Sequence, residues 1–387
     1  MQCEMDVERE KPMSDAISRR DLFAGALALS LSPVAAEERG KTVMDHFVFV
    51  GCRTTRERNA RGDGIAIFRA KGAEPWTSVQ TIGDLVNPSF LAFDRSRKFL
   101  YAVHGDGTEI SAFKVESGAL TFLNRQSTRG LNPVHVAVDP GNRFLVVANH
   151  LTKDEYQSNL AVLPRQADGS LGPVCDLAPL SGKIGPHRVE QPFAKPHQAV
   201  FDPAGRFILV PDKGCDLVRS FRLDGDGKLS AVGSPAIARE GAGPRHAAFH
   251  PVRPLAYVVN ELDSTIAAYR YDPETGQLSP FQIVPTVPDS FVGNSRAAEI
   301  EVSPDGGQVH ASNRGHDSIV SFQIDGEGRL VSPGWKSSGG KTPRFFCQGP
   351  GASLFVANED SDNIVRLSDG AVVAKTGSPT CLLFLQA

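Results

Sequence analysis

The stretch "YVVNELDST", residues 257–265, begins as a buried strand and then delivers Asn260 and the carboxylate of Glu261 at its end. Three more side chains suited to acid–base or anion chemistry stand beside similar apolar runs. His197 precedes "AVFDPAGRFILVPD", Arg245 precedes "AAFHPVRPLAYVVN", and Arg314 follows "QVHASN". A carboxylate and an imidazole can take and return a proton. Two guanidiniums can grip a carboxylate or phosphate and steady an oxyanion as it forms. No His, Asp or Glu cluster has metal-ligand spacing, so neither a metal nor another cofactor is expected. This chemistry requires residues spread from 197 to 314 to meet at one place.

What brings them together is an internal repeat. "NPSFLAFDRSRKFLYAVHGDG", "NPVHVAVDPGNRFLVVANH", "KPHQAVFDPAGRFILVPDKG", "GPRHAAFHPVRPLAYVVNE", "AAEIEVSPDGGQVHASNRG" and "TPRFFCQGPGASLFVANED" share one pattern. Each is a short strand, a turn, and a second apolar strand ending in a polar residue. Pro140 to Asn149, Pro203 to Asp212, Pro251 to Asn260 and Pro304 to Asn313 each span nine positions. An alternating third strand and a weaker fourth follow, giving units of about 45–50 residues, the signature of propeller blades. Pro88, Pro133, Pro196, Pro244 and Pro343 open units, a sixth starts near Ala297, and "SPTCLLFLQA" starts a seventh at Pro379. The seventh lacks later strands, whereas "HFVFVGC" and "DGIAIFRA" near the N-terminus lack a first. An all-β, seven-bladed propeller closed by its C-terminal strand is predicted, with no open sheet edge.

In such a ring, loops leading into first strands and loops leaving second strands lie at the same mouth of the channel. The former bring Lys195, His197, Arg245 and His246, with Glu299 just inside the next strand. The latter bring Asn149, Asp212, Glu261 and Arg314. Asn149, Asp212 and Asn260 read equally well as turn formers. Glu261 and Arg314 are not favoured turn residues, so a site is the better reading for them. His246, His250 and His310 lie along strand sequences and read as packing or surface residues. Cys215 is near the mouth without an evident base.

The runs "KPHQAVFDPAGRFILVPDKGCDLV", "GPRHAAFHPVRPLAYVVNELDSTI" and "SNRGHDSIVSFQID" resemble the seven-bladed propeller lactonase family, which includes a type of 6-phosphogluconolactonase and the fungal carboxymuconate lactonizing enzymes. The likeness extends over nearly all of residues 44–387. It implies four functional positions: His197, Arg245, Glu261 and Arg314. It also implies a lactone hydrolase acting on a sugar or carboxylated lactone. Chemically the four suit that reaction, with Glu261 as general base, His197 assisting, and Arg245 and Arg314 binding substrate; Lys195, Asn149 and Asp212 are added as substrate-binding candidates by their place at the mouth. Members often carry two histidines two residues apart where this chain has Lys195 and His197. "HLTKDEYQSN" replaces a short Gly-Ser turn after Asn149. The alternatives are a carboxymuconate-type cycloisomerase, and a non-catalytic periplasmic propeller that binds a protein or sugar acid through its mouth.

Composition narrows the partners. Of 387 residues, 41% are apolar and 22% charged, and the net charge is −3 without a Lys/Arg-rich block, which disfavours nucleic acid. Residues 1–36 have the layout of a twin-arginine export signal: Arg19 and Arg20, an apolar run from Leu22 to Leu31, and small residues ending at Ala36. The run is too short for a membrane span. A periplasmic protein is expected, monomeric, with one domain over 37–387. Cleavage would leave five scattered cysteines, an arrangement that suits neither a disulfide framework nor a zinc site.

Overall fold

A computed structural model describes residues 45–152 and 158–387. The leader and the middle of the insertion after Asn149, residues 153–157, lie outside the described residues. Seven antiparallel sheets form the seven blades. In blade 4 the strands run in sequence order from the channel outward: Pro244–Phe249, Leu255–Asn260, Thr265–Tyr271 and Leu278–Pro285. Blades 1, 2, 3, 5 and 6 open with Pro88–Phe93, Leu131–Val138, Val200–Phe201, Arg296–Val302 and Pro343–Gln348. Blade 7 is made of both ends of the chain. Pro379–Gln386 is its innermost strand and pairs with Asp45–Cys52, followed outward by Ile65–Lys71 and Thr77–Ile82. The predicted closure is therefore present.

Second strands are apolar because each is covered on both faces by neighbouring blades. Phe99–His104 and Leu255–Asn260 are buried at every position. Tyr101 and Tyr257 are fully buried, yet their hydroxyls donate to the Gly169 and Gly328 carbonyls at 3.0 and 2.9 Å. Those glycines sit at φ +86° and +85°, and a Cβ on Gly169 would lie 2.0 Å from the Phe99 ring. A residue without a side chain lets one blade's outer turn lie on its neighbour's second strand.

The turns between first and second strands have a repeated mechanism. Asp94, Asp139 and Asp202 each accept two backbone N–H groups from four and five residues ahead, at 2.6–3.0 Å. In blade 4 the Nδ1 of His250 takes that place, accepting from Val252 and Arg253 at 3.2 and 2.9 Å. His250 is thus a turn acceptor, and His310 packs through Nδ1 on Ser321 Oγ at 2.7 Å. No helix among the described residues is long and apolar enough to cross a membrane.

Closure depends on one strand, so deleting residues 378–387 should expose the edge of Asp45–Cys52 and break the ring. The expected outcome is a clear fall in melting temperature with aggregation on size-exclusion chromatography. An unchanged melt and elution would show that the ring does not need the strand.

Candidate active site

Two backbone positions per blade build the mouth. In blade 4, Pro244 pairs with Asn260 and the ladder bulges before His246. The Glu261 amide then donates to the Gly243 carbonyl at 2.8 Å. The same bond runs from Gly105 to Asn87, Lys213 to Lys195, Glu359 to Thr342 and Arg53 to Ser378, at 2.9–3.0 Å. In these five blades it ties the residue after the second strand to the residue just before the blade-opening proline. Ser89, Val134, His197, Arg245, Arg344 and Thr380 occupy the proline-following position, and all of them line one cavity of ≈ 370 Å³. The corresponding position of the repeat, which follows the second strand in five blades, ends it at Arg314 and lies within it at His150, holds Gly105, His150, Lys213, Glu261, Arg314, Glu359 and Arg53, and all but Glu359 line the same cavity.

Five of the seven expected site residues meet there: Glu261, His197, Arg245, Arg314 and Lys195. Asn149 and Asp212 do not reach it. Each sits one residue before the cavity-facing position of its repeat, and one step along a strand reverses the side chain's face. Both are fully buried. Asn149 Nδ2 donates to Thr128 O and Asn159 Oδ1 at 3.3 and 2.7 Å. Asp212 accepts from the amides of Lys195, Gly214 and Cys215 at 2.8–3.2 Å and pairs with Arg219 at 2.9 Å. They clamp turns, which was the alternative reading of their residue types. The cavity-facing residues one place further on are His150 and Lys213, which the sequence reading passed over. The repeat position of Glu261 and Arg314, applied to every blade, would have found both. Arg296 and Glu190 also line the cavity, and Glu190 lies in a connection that carries no repeat signal.

Eight lining residues are cationic (Arg53, Arg58, Lys195, Lys213, Arg245, Arg296, Arg314, Arg344) against four lining carboxylates (Asp106, Glu190, Glu261, Glu299). Glu261 is at the centre. Lys213 Nζ lies 2.8 Å and Arg296 3.8 Å from its Oε1, with Arg245 and Arg314 each 3.3 Å from its Oε2. Glu190 bridges Lys213 and Arg296 at 2.9 and 2.6 Å. Burial alone would raise the Glu261 carboxyl, but Arg314, Lys213 and Arg245 outweigh it and hold the group well below the usual carboxylate range. So strong an acid is a poor proton acceptor. The geometry suits Glu261 to aiming guanidiniums rather than to the general-base role its sequence position suggested.

Proton acceptors stand beside it. His150, His197 and His246 line the cavity, with ring centroids 4.9 Å apart for the first pair and 5.1 Å for the second. Burial, reinforced for His197 and His246 by the charge of Arg245, holds all three well below the usual histidine range, so they are neutral. His197 Nδ1 and His246 Nε2 are buried without a hydrogen-bond partner. His246 is therefore a wall of the cavity, not the packing residue expected of it. Its Nδ1 lies 2.8 Å from Glu299 Oε1. Burial pushes the Glu299 carboxyl up to about 7, against the pull of Arg245. Cys215 is held as a thiol, pushed up to about 12 by burial and then by Asp212. Among the described residues, no group of three His, Cys, Asp or Glu side chains is placed to hold a metal ion.

A family model described as lactonase, 7-bladed β-propeller, matches residues 47–379. A 6-phosphogluconolactonase of Bacillus subtilis is 38% identical over 317 residues, 78% of this chain and 88% of that protein. Another, from Formosa agariphila, is 32% identical over 337 residues, 82% of this chain and 91% of that protein. A periplasmic gluconolactonase structure from Pseudomonas aeruginosa matches with a TM-score of 0.78 at 27% identity, covering 88% of this chain and 99% of that one.

Replacing Glu261 by Gln would leave four cations facing each other around a neutral amide. A loss of about 3–5 kcal/mol in folding stability at neutral pH is expected, measured by urea unfolding. The folded carboxyl is held below its unfolded value of about 4.3, so its contribution is present above that pH and is lost as pH falls toward the folded value. The gap between wild type and Glu261→Gln should therefore narrow in acid.

Proposed function

The chain belongs to the seven-bladed β-propeller lactonase family, and on that premise we propose that it hydrolyses a sugar or carboxylated lactone at the mouth of its channel. The observation that carries this reading is a cavity with eight cations over four carboxylates, in which neutral imidazole nitrogens lack protein partners. Such a surplus draws in an anionic substrate. The imidazoles supply the proton transfers that ester hydrolysis needs.

Arg245 and Arg314 face the lactone carbonyl and take the negative charge that grows on its oxygen. Water attacks the carbonyl carbon and gives its proton to His246 Nε2. The tetrahedral intermediate then collapses, the ring C–O bond breaks, and the departing oxygen takes a proton from the imidazole, with His197 assisting. The product is an open-chain hydroxy acid. Glu299 sets the direction of the first transfer. Ionised, it accepts the Nδ1 proton of His246 and leaves the Nε2 lone pair free, the orienting role a buried carboxylate plays in a hydrolase triad. Protonated, it donates to Nδ1, and Nε2 then carries the hydrogen and cannot accept another.

A panel of phosphorylated, carboxylated and neutral lactones tests the reading. Hydrolysis of an anionic lactone well above its spontaneous rate is expected, and none across the panel would sink the proposal. The wild-type rate should rise with pH through about 7, the value to which burial pushes Glu299. Glu299→Gln should lower turnover by roughly 10²–10⁴-fold and abolish that rise. Glu261→Gln should also lose activity but keep the rise, because it displaces guanidiniums and not the titrating pair.

We also infer export to the periplasm by a twin-arginine route. The support is Arg19-Arg20 ahead of the Leu22–Leu31 run, together with the likeness to a protein described as a periplasmic gluconolactonase. Replacing both arginines by lysine should leave the protein in the cytoplasm on fractionation, and unchanged export would implicate another signal. We also infer a monomer, because closure of the ring leaves no inner sheet edge free to pair with another chain.

A further inference from the structure

We propose that Arg53 and Arg344 form a second anion subsite in the cavity, which takes the phosphate or carboxylate that a lactone carries away from its ring; this rests on the lactone-hydrolase reading.

The constellation around Glu261 occurs twice. Arg245 follows the proline of blade 4, Glu261 follows its second strand, and Arg314 ends the second strand of blade 5. Two blades on, Arg344 follows the proline of blade 6, Glu359 follows its second strand, and Arg53 follows the second strand of blade 7. The backbone agrees. Pro343 pairs with Asn358 as Pro244 pairs with Asn260, each with a bulge just after the proline. The contacts agree too: Arg53 and Arg344 reach the two oxygens of Glu359 at 3.0 and 3.6 Å.

The copies differ where chemistry would be done. His246, next to Arg245, is replaced by Phe345 next to Arg344, so the second copy has the guanidiniums without the proton acceptor. That is the composition of a group that holds and does not react. Phe90 joins the two, with its ring centroid 6.3 Å from His246 and 6.1 Å from Phe345. An apolar wall therefore runs from the reacting end toward the second pair of arginines.

The charges there are unbalanced toward the cavity. Arg53 and Arg344 line it, whereas their shared carboxylate, Glu359, does not. The nearby Arg58 is taken up by Asp106, which also accepts from Asn87 Nδ2 at 2.9 Å. Burial, and then the charge of Arg344, pull the Arg53 guanidinium down to about 9. An anion between the two arginines would relieve that repulsion and could be gripped in two-pronged fashion.

The test compares 6-phosphoglucono-1,5-lactone and a glucaric acid lactone with uncharged glucono-1,5-lactone, using wild type, Arg344→Met, Arg53→Met and Arg344→Lys. For at least one charged lactone, each Met variant should raise KM about 10–100-fold with much less effect on kcat. The effect on the uncharged lactone should be at least about tenfold smaller. Whichever charged lactone suffers more identifies phosphate or carboxylate as the ligand. Arg344→Lys, which keeps the charge and loses the fork, should fall between. Equal losses on charged and uncharged lactones would overturn the subsite.

Calorimetric titration of 6-phosphogluconate, glucarate and gluconate reads the subsite without turnover. Wild type should prefer a doubly charged acid to gluconate, and Arg344→Met, checked for an unchanged fold by circular dichroism, should lose that preference. No preference in wild type would refute the proposal even if lactones are hydrolysed. A preference that Arg344→Met abolishes, with no lactone hydrolysed, would uphold the subsite and reject the hydrolase reading.

Discussion

The mouth of this propeller depends on one backbone hydrogen bond, made again from blade to blade. The amide just past a second strand donates to the carbonyl just before the blade-opening proline, as from Glu261 to Gly243 and from Glu359 to Thr342. Proline fixes φ and offers no amide of its own, so the chain turns into the channel at a set angle. In blade 4 the ladder bulge that follows accompanies Arg245 and His246 both lining the cavity. Each blade thereby contributes residues at matching heights, and function varies by substitution at fixed places rather than by loop redesign.

Along this repeat position in five successive blades the charge alternates: Lys213, Glu261, Arg314, Glu359, Arg53. Alternation is how a protein can keep many buried charges close together, since each carboxylate offsets repulsion between its neighbours. The additional cations Arg245, Arg296, Lys195 and Arg344 tip the cavity positive. Arg245 shows the strain: burial and then the charges of Arg314 and Arg344 pull it down to about 9. A bound anion would complete the charge balance, so substrate affinity and folded-state stability are linked here.

Two deep carboxylates take the opposite course from Glu261. Glu299 is pushed up to about 7 and Glu301 to about 8, in both cases first by burial. The difference is the number of cations within reach. Glu261 has four within 4 Å, whereas Glu299 has a neutral imidazole for its partner. One channel thus holds a carboxylate suited to fixing guanidiniums and another suited to titration near neutrality.

The amino-acid sequence determined the repeat, the number of blades, the closing strand and the face on which Glu261, His197, Arg245 and Arg314 meet. These follow from strand periodicity and turn residues, which are local properties that each repeat states again. Only the tertiary structure decided which of two adjacent residues enters the cavity. Asn149 and Asp212 turn away while His150 and Lys213 turn in, because a strand reverses its face at every residue and a polar type at a strand end suits either side. Only the tertiary structure, too, decided protonation. Glu261, past the end of a second strand, and Glu299, inside a first strand, are the same residue type, and nothing local to either dictates its protonation. Their opposite shifts arise from burial and from charges on other blades, whose influence depends on distances of a few ångströms that chain spacing does not encode.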